Sequence, residues 1–393
     1  MLSAEHRAIV SATVPILEQG GEALTRHFYP ILFRDYPAVQ PYFNQAHQHS
    51  GAQQRALANG VLMYAKHIDK LDQLGPLVAQ VVAKHVSLNI LPEHYPMVGA
   101  SLLKAIREVL GAEVATDAVL EAWGAAYGQL ADILIGAEGQ VYQAQAHAPG
   151  GWNGLRRFVV AAKRHESIEI ASFVLRPEDG GAVMDFLPGQ YIGVRAVIGG
   201  VEQRRNYSLS AAPNGKTYQI SVKREQGGKM SNHLHDQVGE GDVLELLPPS
   251  GAFTLADTQR PVVFITGGVG ITPALAMLPA ALAAGREVHF IHAARHGGVH
   301  AFRDHVDELA GRHPQLRRYY VYAEQMEGQP EPDAVGLIDR DKLAAMLPAS
   351  RDVDAYFLGP QPFMQVVKRS LRELGVPENQ TYYEFFGPAA ALA

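Results

Sequence analysis

The chain has 393 residues, 47% of them hydrophobic and 19% charged, an ordinary globular composition with room for two or three domains that each bury a core. A net charge of -6 leaves no basic footprint for nucleic acid. The absence of cysteine excludes disulfides, thiolate metal sites, covalent c-type haem and cysteine-held iron–sulfur clusters, so the 17 histidines are the main soft ligands.

From Met1 to about Ala146 apolar residues recur at helical spacing: Ile9, Val10, Val14 and Leu17 form one stripe, Leu57, Val61, Tyr64 and Ile68 another, and Leu102, Leu103, Ile106 and Leu110 a third. Breakers at Gly20-Gly21, Pro37, Pro41, Gly75-Pro76, Pro92 and Gly111 are expected to separate the helices. Val78, Val81 and Val82 precede His85 by seven, four and three residues, which puts the imidazole on an apolar helix face. Such a histidine is either a hydrogen-bonded core residue or a metal ligand. Lys84 lies about 100° further round the same helix and looks elsewhere. Tyr29 is three and four residues from Leu32 and Phe33, and Gln53 is four from Leu57, so both turn inward; Phe43 follows Pro41 in a loop. Each also has a plain reading, as a core tyrosine, a surface glutamine and a packing phenylalanine. The start of the chain, Met1 to His6, carries Glu5 and no apolar signal core, from which a cytoplasmic location is expected.

Around Ala148-Pro149-Gly150-Gly151-Trp152 the helical pattern stops. Strands are expected at Phe158–Ala162, Ile168–Leu175, Gln190–Val194, Tyr207–Ser210, Tyr218–Lys223 and Val243–Leu247, with turns at Asp179-Gly180-Gly181, Pro188-Gly189, Gly199-Gly200, Pro213-Asn214-Gly215 and Gly239-Glu240-Gly241. Six short strands at this spacing predict a small antiparallel barrel. Pro261 to Ala284 is uncharged and long enough to span a bilayer, but Gly267, Gly268, Gly270, Pro273 and Pro279 break it into strand, glycine loop and helix, so no membrane span is expected. Strands at Val262–Thr266, Val288–Ala293, Arg318–Tyr322 and Ala355–Leu358 then alternate with helices: one running to Leu278, and others near Ala301–Leu309, Asp341–Leu347 and Phe363–Leu374. That rhythm predicts a parallel doubly wound sheet with a ligand at the carboxyl ends of its strands.

The segments "HFYPILF", "YFNQAHQ", "KHVSLNILPEHYPMVG" and "AWGAAYGQLADILIGAE" make the helical region resemble a bacterial globin of the flavohaemoglobin type. The resemblance implies one non-covalent b-type haem with His85 as its axial metal ligand. It also implies Tyr29 and Gln53 as the distal hydrogen-bonding pair, Phe43 packed on the porphyrin, Leu57 as an apolar wall, and Tyr95 and Glu138 bonded to the proximal imidazole. A carboxylate acting through that imidazole makes it a stronger donor, which favours oxygen activation. Pro30, directly after Tyr29, is expected to bend its helix by removing the bond to the Arg26 carbonyl.

Arg205-Asn206-Tyr207-Ser208 resembles the Arg-x-Tyr-Ser flavin motif of the ferredoxin reductase superfamily, flanked by Pro188-Gly189-Gln190-Tyr191, Val222-Lys223-Arg224-Glu225 and Gly227-Gly228-Lys229-Met230-Ser231. Arg205 offers a fork to a diphosphate, Tyr191, Tyr207 and Ser208 can pack along or bond an isoalloxazine, and Gly228, Lys229 and Ser231 open a helix whose N–H groups suit phosphate. Gly267-Gly268-Val269-Gly270-Ile271-Thr272-Pro273 resembles the superfamily's Gly-Gly-x-Gly-x-Thr-Pro nucleotide loop, and Gly359-Pro360 with Pro362-Phe363-Met364 its second loop. Leu358 stands where many members carry cysteine, so no thiol role is expected there. The tail Glu384-Phe385-Phe386-Gly387-Pro388 resembles the flavin-covering terminus of flavohaemoglobins, with Phe386 against the isoalloxazine and Glu384 near Lys84.

The resemblance spans the chain and implies three modules: a haem-binding all-α globin (1–147), an antiparallel β-barrel for one FAD (148–258) and an α/β nicotinamide domain (259–393). It further implies a monomer that passes electrons from NADH or NADPH through FAD to haem and converts nitric oxide and dioxygen to nitrate. A gas carrier or sensor, and a reductase for an external acceptor, are the alternatives. Arg295, after the second strand of the last module, either meets a 2′-phosphate or pairs on the surface.

Overall fold

The computed structural model describes residues 2–43 and 52–386. They fall into two compact units, one ending at His147 and the other beginning at Ala148. The first is all helical: α1 (Ala4–Ala12), α2 (Val14–Asp35), α3 (Ala52–Lys66), α4 (Gly75–Val86), α5 (Tyr95–Val114) and α6 (Asp117–His147). Ser3 caps α1 by accepting from the His6 N–H at 3.0 Å. The expected break at Gly20-Gly21 is not there, since α1 ends at Thr13 and α2 runs through both glycines. A Cβ at Gly21 would meet Ala58 of α3 at 3.6 Å, and Thr25 donates to the Gln54 carbonyl at 2.9 Å. The glycine therefore lies at a helix crossing, where burying Leu24, Phe28 and Leu32 outweighs a propensity cost of about 1 kcal/mol. Helix α2 also continues through Pro30 with Tyr29 buried. Gly111 does break its helix, at φ 73°.

In the second unit six antiparallel strands come first: β1 (Arg156–His165), β2 (Ile170–Pro177), β3 (Tyr191–Ile198), β4 (Val201–Ser208), β5 (Tyr218–Lys223) and β6 (Val243–Leu246). Their order is β4-β3-β6-β1-β2-β5, and a bridge from Leu209, just past β4, to Ile220 of β5 joins the two edges. Strand β4 starts earlier than its apolar pattern implies because Gly199 and Gly200, both at positive φ, turn a hairpin straight out of β3. Helix α7 (Lys229–Gln237) covers one end of the barrel core through Met230 and Leu234.

The parallel sheet follows, in the order β10-β9-β8-β7-β11-β12. Its strands are β7 (Val262–Gly267), β8 (Val288–Ala294), β9 (Leu316–Tyr322), β10 (Ala334–Val335), β11 (Asp354–Leu358) and β12 (Thr381–Tyr383). Helices α8 (Thr272–Ala283) and α9 (Arg303–Arg312) cover one face, α10 (Arg340–Met346) and α11 (Gln361–Glu373) the other. Helix α8 passes Pro279 and ends five residues beyond the expected Leu278, because a proline costs one hydrogen bond and nine residues of this helix are buried. The connector before β7 is pinned by Arg286, which donates to the Ala256 carbonyl at 3.0 Å, the Arg260 carbonyl at 2.7 Å and Asp354 at 2.5 Å. No helix among the described residues is long and apolar enough to cross a membrane.

Candidate functional site

The first constellation sits where α4, α5 and α6 meet. Val82 and Val86 of α4 pack with Tyr95, Ala131 and Leu134, which leaves His85 at the edge of that cluster with its side chain 31% exposed. Tyr95 donates to Glu138 Oε1 at 2.6 Å; His85 Nδ1 lies 2.7 Å from the same oxygen and 3.0 Å from the Tyr95 hydroxyl. Burial, then the hydrogen bond to Glu138 and its charge, raises the Tyr95 pKa, so the phenol keeps its proton and spends it on Glu138. The imidazole must then carry its proton on Nδ1 and share it between carboxylate and phenol. That tautomer turns the Nε2 lone pair outward, and Nε2 has no hydrogen-bond partner among the described residues. Two further tyrosines of α6 hold the loop between α4 and α5: Tyr127 donates to the Tyr95 carbonyl and Tyr142 to the Ile90 carbonyl, each at 2.7 Å. Both share a helix face with Glu138 at spacings of eleven and four, a periodicity by which the sequence could have singled them out.

In the larger core of the same unit Tyr29 lies in an aromatic group, with ring centroids 4.9 Å from Phe28, 5.8 Å from Phe33 and 5.6 Å from Phe43. Leu57 and Val61 of α3 pack against the same core, and Gln53 stands one turn before Leu57, half-buried. Val78, Tyr127 and Leu130 touch both this core and the histidine cluster, so the two sets line one apolar region. Lys84 is exposed, one residue from His85.

The second constellation lies on the barrel. Tyr191 and Ser208 are register partners across β3 and β4, Tyr207 faces Ile192, and Asn206 faces Gly193. A Cβ at Gly251 would fall 2.9 Å from the Tyr191 ring, so glycine there seats that ring. Arg205 is half-buried and bonds only neutral oxygens, the Arg204 carbonyl at 2.7 Å and Gln203 Oε1 at 3.2 Å. Burial lowers its pKa, and no carboxylate pairs with it among the described residues. A desolvated guanidinium without counter-charge is a fork waiting for an anion. Gly228 caps α7, where a Cβ would fall 2.5 Å from Ser231 Oγ; that hydroxyl accepts from the Glu225 N–H at 3.2 Å. Lys229 is exposed at the first turn.

The third lies at the carboxyl ends of the parallel strands. Gly267, Gly268, Val269, Gly270 and Ile271 lead into α8, with Gly268 at φ +55° and Thr272 donating to the Val269 carbonyl at 3.0 Å. A Cβ at Gly270 would fall 2.5 Å from the Leu358 carbonyl oxygen, and Phe363 packs over both Gly267 and Gly359. The two predicted nucleotide loops are thus one joined surface, and Leu358, where a thiol could have stood, is buried in the core. In the tail, Phe385 packs on the α10–α11 side of the sheet and Phe386 is 52% exposed. Glu384 is half-buried, and Gly387 and Pro388 lie outside the described residues.

Comparison with known proteins reads the same three parts. Residues 26–134 match the globin family, 157–255 the oxidoreductase FAD-binding domain and 264–369 the oxidoreductase NAD-binding domain. Over 392 residues, with both chains fully covered, the sequence is 67% identical to a flavohemoprotein of Burkholderia sp. and 64% identical to one of Pseudomonas putida. The chain belongs to the flavohemoprotein family. Among solved structures, a flavohemoglobin from Malassezia yamatoensis with bound FAD and heme aligns over 98% of this flavohemoprotein and 100% of that chain, with TM-score 0.85 and 27% identity. The FAD/NAD-binding domain of a nitric oxide dioxygenase from Vibrio cholerae aligns over 60% of this chain and 100% of its own, with TM-score 0.56 and 37% identity. The flavohemoprotein is accordingly an oxidoreductase with a globin, an antiparallel flavin-type barrel and a parallel nucleotide-type sheet.

Proposed function

We propose that this flavohemoprotein is a nitric oxide dioxygenase that draws electrons from NADH or NADPH, with haem in residues 1–147, FAD in 148–258 and the nicotinamide nucleotide in 259–393. The observation that carries the reading is the His85–Tyr95–Glu138 chain on the same polypeptide as an FAD- and NAD-type reductase. A carrier gains nothing from a strongly donating axial ligand, whereas oxygen activation needs one.

The residues present fit both groups. His85 offers Nε2 with its tautomer fixed from behind, and Phe43, Leu57 and Val61 supply apolar walls. Arg205 is a half-buried cation that bonds only neutral oxygens, and Gly228 opens a helix whose first N–H groups suit phosphate. When bound, FAD divides the two electrons of a hydride into single electrons, and haem iron is the centre at which dioxygen and nitric oxide combine.

The rest is work for side chains. Glu138 holds the Nδ1 proton of His85 and raises the basicity of Nε2. Tyr29 and Gln53 are the hydrogen-bonding groups of the distal wall, where an O–H donor stabilises negative charge developing on oxygen. Arg205 and the N–H groups of Gly228 and Ser231 bind diphosphate, while Tyr191, Asn206, Tyr207 and Ser208 orient the flavin ring. Gly267 to Thr272 present backbone N–H groups to the nucleotide phosphates. Phe385 and Phe386 cover the flavin until the nicotinamide displaces them. A monomer in the cytoplasm, drawing on the cell's nicotinamide pool, goes with this reading.

The test is nitric oxide consumption by the aerobic protein supplied with NADH. Two nitric oxide and two dioxygen molecules should yield two nitrates for each NADH oxidised. Nitric oxide bound without nitrate, or nitrate formed without NADH use, would sink the proposal.

A further inference from the structure

Arg295 is the residue just past β8, and Ala293, two positions earlier, is in register with Gly267 at the head of the glycine loop. In a doubly wound sheet this is where the adenosine ribose of a dinucleotide lies. An acidic side chain there takes the 2′-hydroxyl, and an arginine takes a 2′-phosphate. The Arg295 backbone is fixed, since its carbonyl accepts from the Glu324 N–H at 3.0 Å and the preceding Ala294 carbonyl accepts from Ala323 at 3.0 Å. Its guanidinium is 66% exposed and has one carboxylate partner, Glu169, with Nη2 2.5 Å from Oε2.

Glu169 is the better anchored of the two, at 17% side-chain exposure. It stands at the head of β2 in the barrel, where its carbonyl accepts from the Arg224 N–H at 2.7 Å and its own N–H donates to Ser167 Oγ at 3.3 Å. One residue before it, the Ile168 N–H donates to the Gly298 carbonyl at 3.2 Å, which ties this loop to the segment after β8. A largely buried carboxylate and an exposed arginine therefore share the place of the ribose. An ion pair with one exposed partner is weak, and a phosphate competes for the guanidinium as a two-pronged acceptor.

We propose that Glu169 and Arg295 together set nicotinamide-nucleotide selectivity in this flavohemoprotein, an inference that rests on its reading as an NAD(P)H oxidoreductase. With the pair closed, Glu169 is the acceptor for the ribose 2′-hydroxyl of NADH and repels a 2′-phosphate. With the pair open, Arg295 turns to the 2′-phosphate, so NADPH is a slower second donor.

The test is flavin bleaching by stopped flow in the full, FAD-loaded chain, with NADH and NADPH compared in each variant. Glu169→Gln keeps the shape and an acceptor for Arg295 but removes the repulsive charge. It should raise the NADPH-to-NADH ratio of kcat/KM by about tenfold, and Arg295→Gln added to it should cancel that gain. Thermal unfolding and the flavin absorbance spectrum of each variant report whether its fold is intact. A ratio unchanged within about twofold, or a gain that survives Arg295→Gln, overturns the inference while leaving the oxidoreductase reading in place. Failure of both nucleotides to bleach the parent's flavin overturns that reading and the inference with it.

Discussion

Replacing Glu138 by glutamine separates two things that the carboxylate does. Its side chain is 3% exposed, and Oε1 receives Tyr95 at 2.6 Å and His85 at 2.7 Å. A hydrogen bond to a charged group contributes about 1.5–3 kcal/mol and a neutral one about 0.5–1.5, so neutralisation weakens the two bonds by about 2–3 kcal/mol together. The same change removes the desolvation penalty of a buried carboxylate, which is of similar size, so folding stability should move by less than about 1 kcal/mol. What is lost is donation through His85. If half of the weakening falls on the difference between ferric and ferrous iron, about 1.4 kcal/mol, the haem midpoint potential rises by about 60 mV. Glu138→Leu is the control, because it strands the Tyr95 O–H proton at about 1–3 kcal/mol while His85 Nδ1 keeps the Tyr95 oxygen at 3.0 Å, and the globin unit should melt earlier. Spectroelectrochemical titration and urea unfolding of both variants supply the readouts. A potential unchanged in Glu138→Gln, or destabilisation as large as in Glu138→Leu, would refute the argument that Glu138 acts through the imidazole.

Three further outcomes are expected. Thr266 bonds His292 at 2.8 Å, and His292 stacks on His300 at 4.4 Å; burial lowers both pKa values, that of His292 to about 3. The unfolded chain therefore binds more protons once the pH falls below about 6.5. Stability is full above that value and drops as acid is added, by about 2 kcal/mol for His292 alone at pH near 5. Urea midpoints at neutral and acid pH should show this fall, and His292→Gln should flatten it. Gly270→Ala drives a Cβ to 2.5 Å from the Leu358 carbonyl oxygen, which should cost about 1–3 kcal/mol in thermal unfolding and raise the KM for NADH. Arg205→Gln removes the charged fork, and flavin titration should show FAD binding about 10- to 100-fold weaker.

Much of this was legible because it is local. The valine spacing put His85 on an apolar face, and the turn residues between strands divided the barrel and the parallel sheet near where they divide in the structure. Gly20-Gly21 and Pro279 misled as breakers for one shared reason: burial of the helix on either side outweighs a local propensity cost. Glu138 stands 53 residues from His85 and Glu169 stands 126 from Arg295. No periodicity links such pairs. The family resemblance supplied the first, and only the folded barrel against the parallel sheet brought out the second.

On the proposed function, one chain carries electrons from a nicotinamide nucleotide through flavin to the site of His85. Anaerobic addition of NADH to the purified protein, followed by its visible spectrum, tests that claim most directly. The flavin band should bleach first and the haem bands should then shift to their reduced positions, with both changes complete at about 1.5 NADH per chain, since FAD takes two electrons and haem iron one. Bleached flavin beside unshifted haem bands would contradict it and would make the protein a reductase for some other acceptor.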